Sequence, residues 1–206
     1  MARGAAARLF VAVDPPARVC EELGEWAREA VADWSSWAVT RPRRPRRPPR
    51  LLRPDSLHLT LCFLGSRPVG EIPALCSALS LLAGEPGELS VGAPLWLPPR
   101  RPHALAVEVR DRAGALAGLQ AGLTGVLAQA SGWEPERRRF RPHVTLARLP
   151  PGAAPTGGEA GGRPLLPPTP QVRFTPEALV LYRSLAAPGG TTYEALATCE
   201  VGAPGR

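Results

Sequence analysis

Two copies of one short pattern constrain this chain more than anything else in it. His58-Leu59-Thr60-Leu61 recurs 85 residues later as His143-Val144-Thr145-Leu146. Each copy sits in a run that reads as a strand, residues 57–64 (LHLTLCFL) and about 140–149 (FRPHVTLARL). In a strand, residues i and i+2 point to the same face. His58 and Thr60 therefore share one face, while Leu59 and Leu61 share the other and can pack into a core. His143 and Thr145 stand in the same relation to Val144 and Leu146. A lone His-x-Thr is more often a half-buried histidine beside a β-former. Two copies, using two of the three histidines in the chain, point to a built feature. If the halves are related by a pseudo-twofold axis, both imidazole–hydroxyl pairs converge on one cleft.

The rest of the chain supplies strands and helices around them. Residues 8–13 (RLFVAV) read as a buried strand ended by Asp14-Pro15-Pro16, with Asp14 placed to cap a helix over about 16–32. Its apolar face is Val19, Leu23, Trp26, Ala27 and Ala30. The strand carrying His58 closes at Gly65, and a helix follows at about 69–83. Two strands at 88–97 and 103–110 precede a helix at about 112–130 with Leu116, Leu119, Leu123, Val126 and Leu127 on one face. After the His143 strand, two final strands fall at 171–184 and 192–200. Adjacent strand pairs break a regular strand–helix alternation, which favours α+β with antiparallel sheets. A dinucleotide fold lacks its glycine fingerprint, because Asp14-Pro15-Pro16 stands where the glycines belong.

Two stretches read as loops. Residues 38–56 alternate arginine and proline and cannot bury much apolar area, so an extended loop is expected, with its basic insert at about 40–53. Residues 150–170 are rich in proline and glycine without an apolar period. The whole of 1–206 is read as a single domain carrying these two loops.

The chemistry suited to two imidazole–hydroxyl pairs is proton transfer at a phosphodiester. An unperturbed imidazole titrates near 6.5, so at neutral pH one can serve as base and the other as acid. Opening a cyclic phosphodiester needs both. Thr60 and Thr145 can hydrogen-bond non-bridging phosphate oxygens. Two histidines without nearby acidic ligands make a poor transition-metal site, and the arrangement requires no metal or other cofactor. His103 is the contrast: Leu105 occupies its i+2 position, so it reads as a strand-start or surface histidine.

Composition excludes several alternatives. All 25 positive side chains are arginine. Without lysine no Schiff base, P-loop lysine or lysyl-adenylate can form on this chain. The net charge of +7 matches seven arginines between residues 41 and 53 with no acid among them, so the basicity is local. Such a run can hold an RNA backbone by counterion release or serve as a linker. Cys20, Cys62, Cys76 and Cys199 lack CxxC spacing and read as buried thiols of a reducing compartment, the cytoplasm. No window is apolar enough for a membrane span.

RLFVAVDPP at the start, HLTLCFLG at 58–65 and FRPHVTLAR at 140–148 together resemble the 2H phosphoesterase superfamily, and within it the bacterial RNA 2′,3′-cyclic phosphodiesterases, also called 2′-5′ RNA ligase-like proteins. The resemblance runs in order through LVLYRS at 179–184 and the strand around Tyr193. It implies an α+β, bilobal, duplicated fold with antiparallel sheets facing a central cleft and helices outside. It implies hydrolysis of an RNA 2′,3′-cyclic phosphate end to a 2′-phosphomonoester without metal, with His58 as proton donor and His143 as acceptor. The residues themselves are too symmetric to assign those roles. Arg141 matches the family and is expected to help neutralise phosphate. The implied partner is RNA with such an end, bound by a monomer away from membranes. A small cyclic nucleotide-derived phosphate as substrate, and a non-catalytic RNA-end binder, are the rival readings. The arginine/proline insert departs from the short segment usual in the family.

Overall fold

The computed structural model describes residues 5–36, 47–82, 84–150, 164–188 and 190–201. The first strand, β1 (Ala6–Asp14), shows how the sheet is built. Leu9, Val11 and Val13 belong to the apolar core. Phe10 and Ala12 are equally buried but stand outside that core cluster, on the opposite face. The prolines after Asp14 end the strand, and α1 (Ala17–Ala30) starts from Pro16. The expected cap by Asp14 is absent. That carboxylate instead accepts a hydrogen bond from the Tyr182 hydroxyl at 2.6 Å. The first helix turn, following two prolines, has less need of a side-chain acceptor because their fixed φ already suits the helix. Val19, Leu23, Trp26, Ala27 and Ala30 are all buried, as the spacing predicts.

The remaining strands are β2 (Arg50–Leu51), β3 (Leu59–Pro68), β4 (Leu89–Leu97), β5 (Ala104–Arg110), β6 (His143–Arg148), β7 (Arg173–Phe174), β8 (Ala178–Ala187) and β9 (Gly190–Glu200). The other helices are α2 (Ile72–Ser80) and α3 (Ala115–Ser131). Among the described residues every pairing is antiparallel. The order β7-β4-β5-β6-β3-β1-β8-β9, with β2 on β6, is a four-strand half followed by its counterpart. The α+β fold of duplicated antiparallel halves is thus observed.

The duplication extends to the register. Phe10-Val11-Ala12-Val13 faces Phe63, Cys62, Thr60 and Leu59 in β3. Ala104-Leu105-Ala106-Val107 faces Arg148, Ala147, Thr145 and Val144 in β6. In each ladder one leucine, Leu61 or Leu146, is skipped as the extra residue of a β-bulge. The helices tie the halves together: α1 follows β1 yet packs on β6, and α3 follows β5 yet packs on β3. The largest side chains withdrawn fully from solvent are all leucines, Leu59, Leu105, Leu123 and Leu146 among them. Truncating one to alanine is worth about 2–5 kcal/mol.

Four local expectations are corrected. β3 does not stop at Gly65 but continues to Pro68, because Gly65 adopts φ 71 and absorbs a second irregularity in the β1 ladder. The helix expected at 69–83 opens as a 3₁₀ turn over Val69–Glu71, its α-helical part being Ile72–Ser80. The final segment from 171 holds two strands, β7 and β8, separated at Thr175–Glu177. The extended loop at 38–56 is not wholly a loop: Arg50 and Leu51 pair with Arg148 and Ala147, and Pro54–Ser56 form a 3₁₀ turn. Backbone pairing compensates here for poor side-chain burial. Residues 38–46 of that loop and 151–163 of the second loop lie outside the described residues. Among the described residues, no helix is long and apolar enough to cross a membrane.

Candidate active site

The halves meet at one ladder pair, Leu59 opposite Val144. These are the residues between histidine and threonine in each motif. One step either side along an antiparallel pair sets the neighbours opposite each other. His58 therefore stands across from Thr145, and Thr60 across from His143. Both threonines are half-buried. All four groups lie on the sheet face away from the leucine core.

Both rings are anchored alike. His58 Nδ1 lies 2.9 Å from the Ser56 carbonyl oxygen, and His143 Nδ1 lies 2.8 Å from that of Arg141. A carbonyl only accepts, so Nδ1 carries the proton in each ring. Nε2 is then the reactive nitrogen in both, a lone pair when the ring is neutral and a donor when it is charged.

Their surroundings differ. The His58 ring lies 4.8 Å from Phe10 and 4.9 Å, edge on, from Tyr193, between ring centroids. Burial among these rings pushes its pKa down to about 4; the Ser56 carbonyl opposes this, and the charges of Arg148 and His143 add to it. His58 is accordingly neutral at pH 7 in the free protein. His143 is less enclosed and faces Glu108 across the β5–β6 ladder.

The twin bulges shape the rest of the site. Strict alternation would turn a residue five places past each histidine to the core face. The extra leucine reverses that phase, so Phe63 and Arg148 return to the cleft face. Phe63 stands over Phe10, and Arg148 over Ala104. Phe63 is 48% exposed, unlike the leucines around it. Arg148 is exposed and its charge reaches His58. Tyr182 stacks on Phe10 at 5.3 Å while donating its hydroxyl to Asp14. Burial raises the Asp14 pKa, the Tyr182 bond opposes this, and Glu177 adds to the rise. The other Asp14 oxygen is buried without a partner.

Of the residues singled out from sequence, His58, Thr60, His143 and Thr145 come together. Arg141 contributes its carbonyl oxygen, and its side chain is exposed. His103 lies exposed just ahead of β5. Sequence reasoning passed over Arg148 and the wall of Phe10, Phe63, Tyr182 and Tyr193. The available signal was the parallel of HLTLCF and HVTLAR, extended two residues past the repeat. Among the described residues, no group of three or more histidine, cysteine, aspartate or glutamate side chains could hold a metal ion. Burial pushes the Cys20 and Cys62 thiols up to about 11, leaving them protonated and unreactive at neutral pH.

Comparison with known proteins follows the same lines. Residues 12–187 match the family described as the 2'-5' RNA ligase superfamily. A curated Geobacillus stearothermophilus protein named RNA 2′,3′-cyclic phosphodiesterase is 32% identical over 133 residues, covering 63% of this chain and 41% of that protein. A Thermus thermophilus protein of the same name is 30% identical over 200 residues, covering 92% of this chain and 87% of its own. The crystal structure of E. coli LigT complexed with 3′-AMP superposes with a TM-score of 0.71 at 27% identity, covering 96% of this chain and 99% of that one.

Proposed function

Because the chain belongs to the 2'-5' RNA ligase superfamily, we propose that it is an RNA 2′,3′-cyclic phosphodiesterase, opening cyclic phosphate ends to 2′-phosphomonoesters. One observation carries the reading. The two His-x-Thr pairs meet at Leu59–Val144 with both Nδ1 atoms tied to backbone, so two Nε2 atoms are left for the substrate.

The steps are as follows. His143 Nε2 takes a proton from water as the water oxygen bonds to phosphorus. The P–O3′ bond breaks, and His58 Nε2 gives its proton to O3′. Thr60, Thr145 and Arg148 hold the non-bridging oxygens and stabilise their growing charge. Arg141 adds positive charge outside them. The scheme uses no metal, since the charge that a metal would offset falls to Arg148 and the hydroxyls.

The donor role asks something of His58, which is neutral at pH 7 in the free protein. The phosphate itself supplies the change. Its charge offsets Arg148 and adds an anion beside the ring, and both effects raise the pKa of an imidazole. His58 thus takes up its proton as substrate binds. The RNA substrate and the four free thiols favour a cytoplasmic setting.

The decisive experiment is product analysis on an oligonucleotide ending in a 2′,3′-cyclic phosphate, with a chelator present. A 2′-phosphate end is expected. Tight binding with no product would make the protein an RNA-end binder. Turnover of a small cyclic nucleotide alone would move the substrate class, and a 3′-phosphate product would reverse which P–O bond breaks.

A further inference from the structure

Arg50 and Arg148 are directly opposed across the β2–β6 ladder. Residues so opposed point to the same face, with Cβ atoms about 5 Å apart, and like charges there repel. Arg148 is on the cleft face, its charge felt by His58, so Arg50 is on that face too. Among the described residues, no carboxylate forms an ion pair with either guanidinium. Other arginines behave differently: Arg67, Arg110, Arg173 and Arg183 each have an acid partner.

The position of Arg50 is also built. Its backbone is held in the ladder. Its guanidinium lies against the backbone at Gly190, where β9 begins, so close that a Cβ on Gly190 would collide with it. Gly190 has φ 151, a conformation that suits glycine. Three residues along β9, Tyr193 touches His58. Arg50 therefore bridges from the β6 edge of one half to the β8–β9 hairpin of the other, at the rim of the cleft and one side chain beyond Arg148.

We propose that Arg50, one side chain beyond Arg148, forms a second phosphate subsite, which takes the phosphodiester on the 5′ side of the ribose whose cyclic phosphate is held by Arg148 and the histidine pair. An anion at that point relieves the repulsion between the two guanidiniums. The subsite makes the enzyme prefer an oligonucleotide end over a nucleoside cyclic phosphate with a free 5′-hydroxyl. The proposal rests on the phosphodiesterase reading above and specifies its substrate class.

Two probes test it: adenosine 2′,3′-cyclic phosphate, and the adenosine dinucleotide ending in the same group. The readout is the ratio of kcat/KM, dinucleotide over mononucleotide, in the wild type and in Arg50→Ala. The ratio is expected to fall roughly 10-fold or more, as befits a lost charge-assisted bond, and Arg50→Lys should recover part of it. The salt slope on the dinucleotide should shrink by about 0.7, one single-strand phosphate's worth. An unchanged ratio, or an equal loss on both probes, overturns the subsite. If the wild type turns over neither probe, the phosphodiesterase reading has failed. The affinity ratio of the corresponding 2′-phosphates, measured by calorimetric titration, then decides the role of Arg50 by the same criterion.

Discussion

Phe63 and Arg148 hold the same place in the two halves, each five residues past its motif histidine and each returned to the cleft by a one-leucine bulge. One half thus offers an aromatic ring where the other offers a charge. Replacing Arg148 by alanine is expected to lower kcat/KM about 10²-fold or more, in line with removal of one preorganised donor to a developing oxyanion. The same change should raise the His58 pKa, since Arg148 helps hold it down. Ring-carbon NMR titration reads that shift directly, and an unmoved His58 would separate Arg148 from the site.

The two histidines are expected to be individually indispensable. His58→Ala or His143→Ala should cost about 10²–10⁴-fold in turnover, the usual worth of general acid–base catalysis. Circular dichroism and melting temperature should show an intact fold. Wild-type-like turnover in either variant contradicts the proposed scheme.

Charging of His58 on binding has its own signature. Its pKa, about 4 in the free protein, should rise when a 2′-nucleotide fills the site, as NMR titration with and without ligand would show. In kinetics, the basic limb of kcat should lie at higher pH than that of kcat/KM, because the first reports the complex and the second the free enzyme. Coincident limbs and a fixed ring pKa would remove His58 as donor.

The same depressed pKa predicts how stability responds to acid. The unfolded chain binds a proton at His58 near pH 6.5 and the folded chain only near 4, so stability falls as pH drops through that window. The loss from this group is roughly 3 kcal/mol at most. Urea unfolding at about pH 7 and about pH 4.5 measures it. His58→Gln should show a visibly flatter dependence, and equal slopes in the two proteins would refute the assignment.

Tyr182→Phe removes the hydroxyl that donates to Asp14 and leaves both carboxylate oxygens in a buried setting without a donor. The expected cost is about 1–3 kcal/mol, a Tm drop of roughly 2–4 °C for each kcal/mol in a chain of this size. The penalty should shrink in acid, where Asp14 protonates more readily than an ordinary carboxyl. Thermal melts at two pH values check both statements.

Much of the scaffold was legible from residue pattern, and the reasons are local. A continuous apolar run marked β1, period-2 alternation marked β3 and β6, and apolar spacing marked the buried faces of α1 and α3. The motif pairs stood out because histidine is scarce. What escaped depended on backbone detail. A bulge is invisible to strict alternation, which turns position 148 toward the core, so Arg148 drew no notice and Arg141 did. β2 was hidden because its two residues gain their place from the β6 edge, while the flanking arginines and prolines read as loop. Asp14 looked like a cap because its true partner, Tyr182, lies 168 residues away.

The single rung between Leu59 and Val144 has one further meaning. A scaffold folded twice over has no built-in direction, and across that rung each imidazole meets its counterpart's hydroxyl on equal terms. Left from right is then decided by unrepeated neighbours alone: aromatic rings crowd His58 with the charge of Arg148 in reach, and a glutamate faces His143. Exchanging those few neighbours, with the backbone untouched, is the shortest route by which such a protein would reverse the donor and acceptor roles proposed for its two histidines.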